Sequence, residues 1–284
     1  MSDAIAAGTV AEALAAASDA LAAAGVETPR LDAEVLLAEA MGKDRIAILA
    51  GSQRGVEPAA ARRFGAMVRR RVAREPVAYI TGRKAFRRIE VAVDPRVLIP
   101  RPETELLVEV ALELGPRSVL DVGTGSGAVA LAVADEWTEV AVKGVDASAG
   151  AIEVARANAE RLGLERRTSF ELATFGRIAS ESRQSERFDL VVANLPYVRE
   201  DEWPTLQPEI REYEPREALV AGADGLDAIR QLLAVPPATK TIALEVGRGQ
   251  AEEVERLVRA AGFPETARRH DLAGIERAVV GRRT

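Results

Sequence analysis

The first quarter of the chain carries apolar residues at helical spacing. They recur every three to four positions in three stretches: Val10, Leu14, Ala17 and Leu21; Leu31, Val35, Ala38 and Met41; and Phe64, Met67, Val68 and Val72. This period places each set on one face of a helix. Gly25 and Gly42 stand where the first two helices would end. The pattern predicts a small all-helical domain over residues 1–75.

A strand pattern follows in residues 76–100. Ile89, Val91 and Val93 alternate with Glu90 and with a small residue, as in a half-buried strand. Prolines end the extended stretch, because a residue before proline avoids the helical conformation. We predict a β-hairpin linker here and a helix over 103–114.

The remainder, residues 101–284, alternates between strand and helix patterns. The candidate strands are 118–122, 140–145, 168–172, 188–193, 241–246 and 275–280. The intervening stretches have helical spacing, as at Ile152, Ala155 and Ala159. This alternation predicts an α/β domain with a mostly parallel sheet covered on both faces.

Composition narrows the functional classes. The 284 residues are 48% hydrophobic, and the formal net charge of −6 disfavours sequence-blind nucleic-acid binding. The absence of cysteine excludes disulfides, thiolate zinc sites and cysteine nucleophiles. The single histidine, His270, disfavours a histidine-rich metal site or a Ser-His-Asp triad, and we expect it on the surface. No metal site is expected.

The N-terminus lacks the basic start of a signal peptide, and Asp3 and Glu12 argue against an arginine-rich transit peptide. No apolar run reaches the roughly 18 residues that span a bilayer. We therefore expect a cytoplasmic protein without a membrane partner.

A glycine-rich loop follows the first strand of the α/β domain. It consists of Gly123, Thr124, Gly125, Ser126 and Gly127. Glycines there permit positive φ and a close approach of ligand to backbone. The spacing also fits a dinucleotide site, so an oxidoreductase is one alternative and a plain strand-to-helix turn is another. Asp121 at the strand tip favours S-adenosylmethionine, because its carboxylate can pair with the methionine ammonium and would repel a pyrophosphate.

Asp146 ends the next strand. An acid at this place can accept hydrogen bonds from both ribose hydroxyls, which supports an adenosine ligand. The alternative is a helix N-cap formed by Asp146 or Ser148.

The segment after strand 188–193 fits an amide. It reads Asn194, Leu195, Pro196 and Tyr197. Ligands of open α/β sheets collect beyond the carboxyl ends of strands. The Asn194 side-chain carbonyl and the Leu195 backbone carbonyl can accept the N–H groups of a planar amide or amine and turn its lone pair towards a sulfonium methyl. Pro196 keeps Leu195 extended, and Tyr197 offers a flat face.

The chain resembles the peptide chain release factor glutamine N5-methyltransferase family over nearly its whole length. The matching stretches are 31–37, 75–82, 97–105, 123–127, 194–197, 213–216 and 222–226, of which Ile-Pro-Arg-Pro-Glu-Thr-Glu at 99–105 is the most specific. The resemblance implies a helical N-terminal domain, a hairpin link and a Rossmann-like, seven-stranded class I methyltransferase domain.

It also implies S-adenosylmethionine as cofactor, bound by residues 123–127 and Asp146. The implied substrate is the glutamine of the Gly-Gly-Gln loop of bacterial class I release factors, bound by residues 194–197 with Asn194 also near the cofactor. Two positions depart from the family. Leu195 stands where the family has proline, and Ala173 cannot hydrogen-bond an adenine amino group. Phe175 is expected to pack on the adenine ring.

Six arginines form a basic cluster on a predicted helix: Arg62, Arg63, Arg69, Arg70, Arg71 and Arg74. They are typical of a solvated helix face. The alternative is a docking surface for an acidic part of the release factor, which would make residues 1–75 a substrate-docking domain.

Three other functions share part of this pattern. Glutamine methylation of a ribosomal protein would use the same amide site. A nucleic-acid amino methylase shares Asn-x-Pro-Tyr but would need basic, base-reading surfaces, which the acidic composition disfavours, so no direct nucleic-acid partner is expected. A module that only binds S-adenosylmethionine would not need Asn194, Pro196 and Tyr197 intact.

Overall fold

The computed structural model describes residues 8–174 and 188–283. The chain forms two compact units, Met1–Gly82 with Gln207–Tyr213 and Arg83–Leu206 with Glu214–Thr284. Most of the first unit is helical and the second contains both sheets. We call them the helical unit and the sheet unit.

The described helices are α1 (Val10–Ala23), α2 (Pro29–Met41), α3 (Arg45–Ala50), α4 (Pro58–Val72), α5 (Val77–Thr81), α6 (Glu105–Leu114), α7 (Ala128–Glu136), α8 (Ala149–Leu162), α9 (Pro208–Tyr213), α10 (Asp227–Ala234) and α11 (Ala251–Ala260), with short 3-10 turns at Pro102–Thr104, Trp203–Thr205 and Arg216–Ala218. The strands are β1 (Arg83–Phe86), β2 (Ile89–Ala92), β3 (Ser118–Val122), β4 (Ala141–Asp146), β5 (Thr168–Leu172), β6 (Phe188–Ala193), β7 (Thr239–Glu245), β8 (Glu265–His270) and β9 (Glu276–Arg282). None of these helices is both long and apolar enough to cross a membrane.

Helix α1 follows its sequence pattern. All four apolar residues of its predicted stripe are buried. A capping box begins the helix: the Thr9 side chain accepts from Glu12 N, and the Glu12 carboxylate accepts from Thr9 N at 2.7 Å.

The predicted stripes of α2 and α4 are wrong at two positions. Leu31 is 43% exposed and Val72 is 39% exposed, whereas their neighbours Asp32 and Arg71 are buried. The cause is an ion pair inside the helical unit, in which Arg71 Nε donates to Asp32 Oδ2 at 2.7 Å. Hydrophobicity alone does not reveal such an inward-facing charged pair.

Several arginines of the basic cluster form ion pairs or hydrogen bonds inside the helical unit. Arg71 and Arg74 both donate to the Glu209 carboxylate, at 2.7 and 2.6 Å. Arg70 pairs with Glu75, and Arg63 donates to a backbone carbonyl of α2. These contacts give several arginines a structural role, and the docking interpretation stays a prediction.

The hairpin is present as β1 and β2, paired antiparallel from Arg83↔Ala92 to Phe86↔Ile89. The large sheet has seven strands in the order β5-β4-β3-β6-β7-β9-β8. The run from β5 to β7 is parallel and β9 is antiparallel to both of its neighbours. The resemblance implied this seven-stranded sheet, and it is confirmed.

The sequence pattern gave six of the seven strands and omitted β8. That strand contains Arg268 and Arg269 and has no buried residue, so it lacks the apolar alternation by which a strand is recognised. His270, at its end, is exposed as expected.

The strand register places the carboxyl ends of β3, β4 and β6 side by side. Val122 lies opposite Val145 on one side and Ala193 on the other. The residues that come next are Gly123, Asp146 and Asn194. The order of the strands reverses direction at β3, and such switch points are where open α/β sheets bind ligands.

Candidate active site

A cavity of about 800 Å³ opens beyond these strand ends. Its wall includes Gly123 and Gly125 after β3, Asp146 at the end of β4, Ala173 after β5 and Asn194 after β6. The sheet unit thus brings together residues from four strands that are up to 71 positions apart in sequence.

The glycine loop divides into a cavity face and a packing face. Gly123, Gly125 and Gly127 all have positive φ, at 75°, 54° and 81°. A Cβ added to Gly125 would meet no atom within 4 Å, but one on Gly127 would lie 3.0 Å from Leu131 Cδ1. Gly125 therefore faces the space where a ligand can approach, whereas a side chain at Gly127 would crowd Ala155 of α8 and Phe170 of β5. Thr124 and Ser126 are buried and do not line the cavity.

Asp121 lies beneath the loop and not on the cavity wall. It is 1% exposed and accepts from Thr124 Oγ1 at 2.7 Å and from Ala130 N at 3.3 Å. Burial raises the pKa of Asp121 to about 7. These contacts give its carboxylate a role in holding the loop on α7, and its pairing with a ligand ammonium stays a prediction.

Asp146 does reach the cavity wall. Its Oδ2 accepts from Gly125 N and its Oδ1 from Ser148 N, both at 2.9 Å. Burial raises the pKa of Asp146. Each carboxylate oxygen can accept a second hydrogen bond, so the side chain is pre-aligned to receive two hydroxyls. The N-cap of α8 is Ser148, whose Oγ accepts from Ala151 N.

Asn194 and Leu195 meet the glycine loop. A Cβ on Gly123 would lie 3.2 Å from Leu195 Cδ2 and 3.4 Å from the Asn194 backbone oxygen. The Asn194 side chain donates from Nδ2 to Thr104 Oγ1 at 2.9 Å. Its amide nitrogen is therefore engaged, and the carbonyl oxygen is the end of the side chain that can accept a hydrogen bond from a ligand. Pro196 also lines the cavity.

Tyr197 is placed differently from its neighbours. It is not on the cavity wall, and its hydroxyl donates to Glu245 Oε1 at 3.4 Å. Gln250 Nε2 donates to the Tyr197 backbone oxygen at 3.0 Å. Burial, followed by the negative charge of Glu245, raises the pKa of the Tyr197 hydroxyl. A stacking role for its ring stays a prediction.

The sequence did not single out two residues of this region, Thr104 and Glu245. Thr104 lies in the 99–105 segment that carries the resemblance, and Glu245 ends β7. Glu245 is 2% exposed, and its Oε2 finds no hydrogen-bond partner within the part of the chain that the structure describes. Burial raises the pKa of Glu245 to about 7. An acid at the end of a buried strand is the signal that could have identified it.

The structure describes only part of the region where the cofactor's adenine is predicted to lie. Ala173 and Thr174 line the cavity, and the alanine methyl provides no hydrogen bond there. Phe175, expected to pack on the adenine, lies outside the described residues.

Two family models match the chain. Residues 12–82 match the PrmC N-terminal domain, and residues 116–234 match a methyltransferase domain. Among solved structures, the catalytic domain of hMettl16 in complex with MAT2A 3′UTR hairpin 1 aligns at a TM-score of 0.53 with 13% identity, covering 82% of this chain and 84% of that one. At this identity the likeness concerns the fold alone.

Curated relatives cover nearly the whole chain. A release factor glutamine methyltransferase of Geobacter sulfurreducens is 41% identical over 92% of this chain and 92% of its own length. Those of Caulobacter vibrioides and Rhodospirillum rubrum are each 39% identical, covering 96% and 93% of this chain and 96% and 82% of their own lengths. Because both family models match and each of these relatives aligns with more than nine-tenths of the chain, the chain belongs to the release factor glutamine methyltransferase family.

Proposed function

We propose that this protein transfers a methyl group from S-adenosylmethionine to the side-chain nitrogen N5 of the glutamine in the Gly-Gly-Gln loop of bacterial class I release factors. The observation that carries the proposal is Asn194, which lines the cavity next to the glycine loop and whose side-chain nitrogen is already bound by Thr104. Because translation termination takes place in the cytoplasm, we place the enzyme there.

The cavity fits the cofactor. Gly123 and Gly125 leave the backbone open to close approach, and the Asp146 carboxylate is aligned by two backbone N–H groups to accept the ribose hydroxyls. Ala173 and Thr174 are on the wall beyond β5, where the adenine would lie. When bound, S-adenosylmethionine supplies an electrophilic methyl group on a positively charged sulfur.

The residues after β6 are suited to a carboxamide nucleophile. The nitrogen of a glutamine amide is a poor nucleophile because its lone pair is delocalised into the carbonyl. The Asn194 Oδ1 and the Leu195 backbone oxygen can accept its two N–H groups, which turns the lone pair towards the methyl carbon. The same two oxygens favour the positive charge that develops on nitrogen, and the excess proton leaves to water afterwards. Orientation and preorganised electrostatics therefore account for the rate, without a general base.

The test is mass spectrometry of a purified release factor after incubation with the protein and S-adenosylmethionine. We expect a gain of one methyl group on the Gly-Gly-Gln glutamine and none when that glutamine is replaced by alanine. Asn194→Ala should lower turnover by roughly 5- to 150-fold, because an N–H group of the substrate loses its acceptor. The affinity of the Asn194→Ala variant for the cofactor should stay within a few fold of wild type.

A methyl group on another residue of the release factor, or on glutamine of a ribosomal protein only, would overturn the proposal. Wild-type turnover by Asn194→Ala would show that the amide is held elsewhere.

A further inference from the structure

The Asn194 side chain is the first member of a row of polar groups within the sheet unit. Its Nδ2 donates to Thr104 Oγ1 at 2.9 Å. Next to Thr104 is the Glu245 carboxyl, whose negative charge the Thr104 hydroxyl stabilises and which accepts from the Tyr197 hydroxyl at 3.4 Å. We propose that Thr104, held by Glu245, is a positioning residue that fixes the Asn194 carboxamide with its oxygen towards the substrate. The inference rests on the proposed function.

The orientation of a carboxamide is not fixed by its shape. Its oxygen and its NH₂ group are nearly equal in size, so a half-turn about the last side-chain bond exchanges an acceptor for two donors. A flipped Asn194 would point N–H groups at the N–H groups of the glutamine substrate. Something outside the side chain must therefore select the productive orientation.

Thr104 can select it because a hydroxyl carries one proton and two lone pairs. In its ionised form the Glu245 carboxylate only accepts hydrogen bonds, so the Thr104 hydroxyl donates its hydrogen bond to Glu245. The Thr104 oxygen then presents lone pairs to Asn194, and only the NH₂ end of the carboxamide can bind them. The ionised form of Glu245 thus favours the arrangement in which Thr104 donates to Glu245 and accepts from Asn194.

The surroundings of Glu245 are consistent with this task. It is 2% exposed, yet its Oε2 lacks a hydrogen-bond partner among the described residues. Arg277 stabilises its negative charge, whereas Glu103 opposes it. Burying an acid without full hydrogen bonding costs stability. Such a cost is expected where a group serves function and not folding.

The test compares Thr104→Val, which removes the hydroxyl at nearly constant volume, with Thr104→Ser, which retains it. Thr168→Val is the matched control, because Thr168 is a buried threonine whose hydroxyl donates to the Leu164 carbonyl at 2.9 Å, away from the cavity. We expect Thr104→Val to lower kcat about tenfold with cofactor affinity unchanged. Thr104→Ser and Thr168→Val should stay within about threefold of wild type.

A second measurement needs neither cofactor nor substrate. Hydrogen exchange of the Asn194 side-chain NH₂, followed by NMR, should be faster in Thr104→Val than in wild type and Thr168→Val. If Thr104→Val does not fold, Thr104→Ala can replace it, because alanine removes the same hydroxyl and introduces no larger group.

The inference is overturned if the hydroxyl-lacking variants keep the wild-type kcat, if Thr104→Ser loses as much as Thr104→Val, or if the NH₂ exchange is unchanged. Failure of the wild-type protein to methylate any release factor would overturn the proposed function instead, and the exchange rates would still test the role of Thr104.

Discussion

The two sides of the cavity are built by different means. On the side of β3 and β4, the contacts come from backbone groups: Gly125 N and Ser148 N hold Asp146, and glycines at positive φ shape the loop. On the side of β6, they come from side chains: Asn194 is held by Thr104, which lies 90 residues away. The first side depends mainly on backbone N–H groups, and the second on a bond between two side chains far apart in sequence.

Each side also contains a buried acid with a pKa raised to about 7, but the two acids are satisfied differently. Asp121 receives hydrogen bonds from Thr124 and Ala130. Glu245 accepts from the Tyr197 hydroxyl at Oε1, and its Oε2 has no partner among the described residues. The comparison indicates that Asp121 mainly holds the loop, whereas Glu245 orients a neighbouring residue.

The largest effect expected from this comparison is a pH dependence of stability due to Asp121. Its pKa is raised from 3.8 to about 7 in the folded state. The stability that results from this tighter proton binding is therefore fully present below about pH 4 and is lost as the pH rises through 7. Three pKa units correspond to about 4 kcal/mol. Urea unfolding at a series of pH values should show wild type losing stability relative to Asp121→Asn over this range. A difference that does not change with pH would contradict the assignment.

The next effect separates the two faces of the glycine loop. Gly127→Ala combines positive φ with Cβ contacts at 3.0 to 3.2 Å from Leu131, Ala155 and Phe170, and should lower the free energy of unfolding by about 2–4 kcal/mol. Gly125→Ala meets open space, so only backbone strain remains and the loss should be about 1–2 kcal/mol. Denaturant unfolding measures both. Gly125→Ala should weaken cofactor binding more than Gly127→Ala, and the reverse order would show that the faces are assigned wrongly.

The smallest effect concerns Asp146. Asp146→Ala removes the charged acceptor of the ribose hydroxyls. The loss of one charge-assisted hydrogen bond costs about 1.5–3 kcal/mol, so cofactor binding should weaken by roughly 10- to 150-fold. Calorimetric titration with S-adenosylmethionine measures the change. Asp44→Ala, which removes an N-cap of α3 in the helical unit, is the control and should bind as wild type does. A lower kcat with unchanged cofactor affinity would argue against the ribose contact.

The sequence predicted most of what is local. The bounds of β3 and β6 agree with the apolar runs, because buried parallel strands are nearly continuous in hydrophobic residues. The bounds of β5 agree as well, although this strand mixes polar and apolar residues. Leu31 and Val72 were assigned to the wrong face because the pattern could not reveal that Asp32 and Arg71 pair with each other inside the helical unit. Thr104 and Glu245 were not identified because their function depends on contacts between residues distant in sequence. Residues 79–81 were read with the hairpin but lie in helix α5.

The Gln207–Tyr213 segment has a consequence for where this protein can be divided. The segment belongs to the helical unit although the chain on either side of it belongs to the sheet unit. A fragment that stopped at Gly82 would therefore lack Glu209, and the guanidinium groups of Arg71 and Arg74 would lose the carboxylate they share. A single cut of the chain therefore does not yield both units whole.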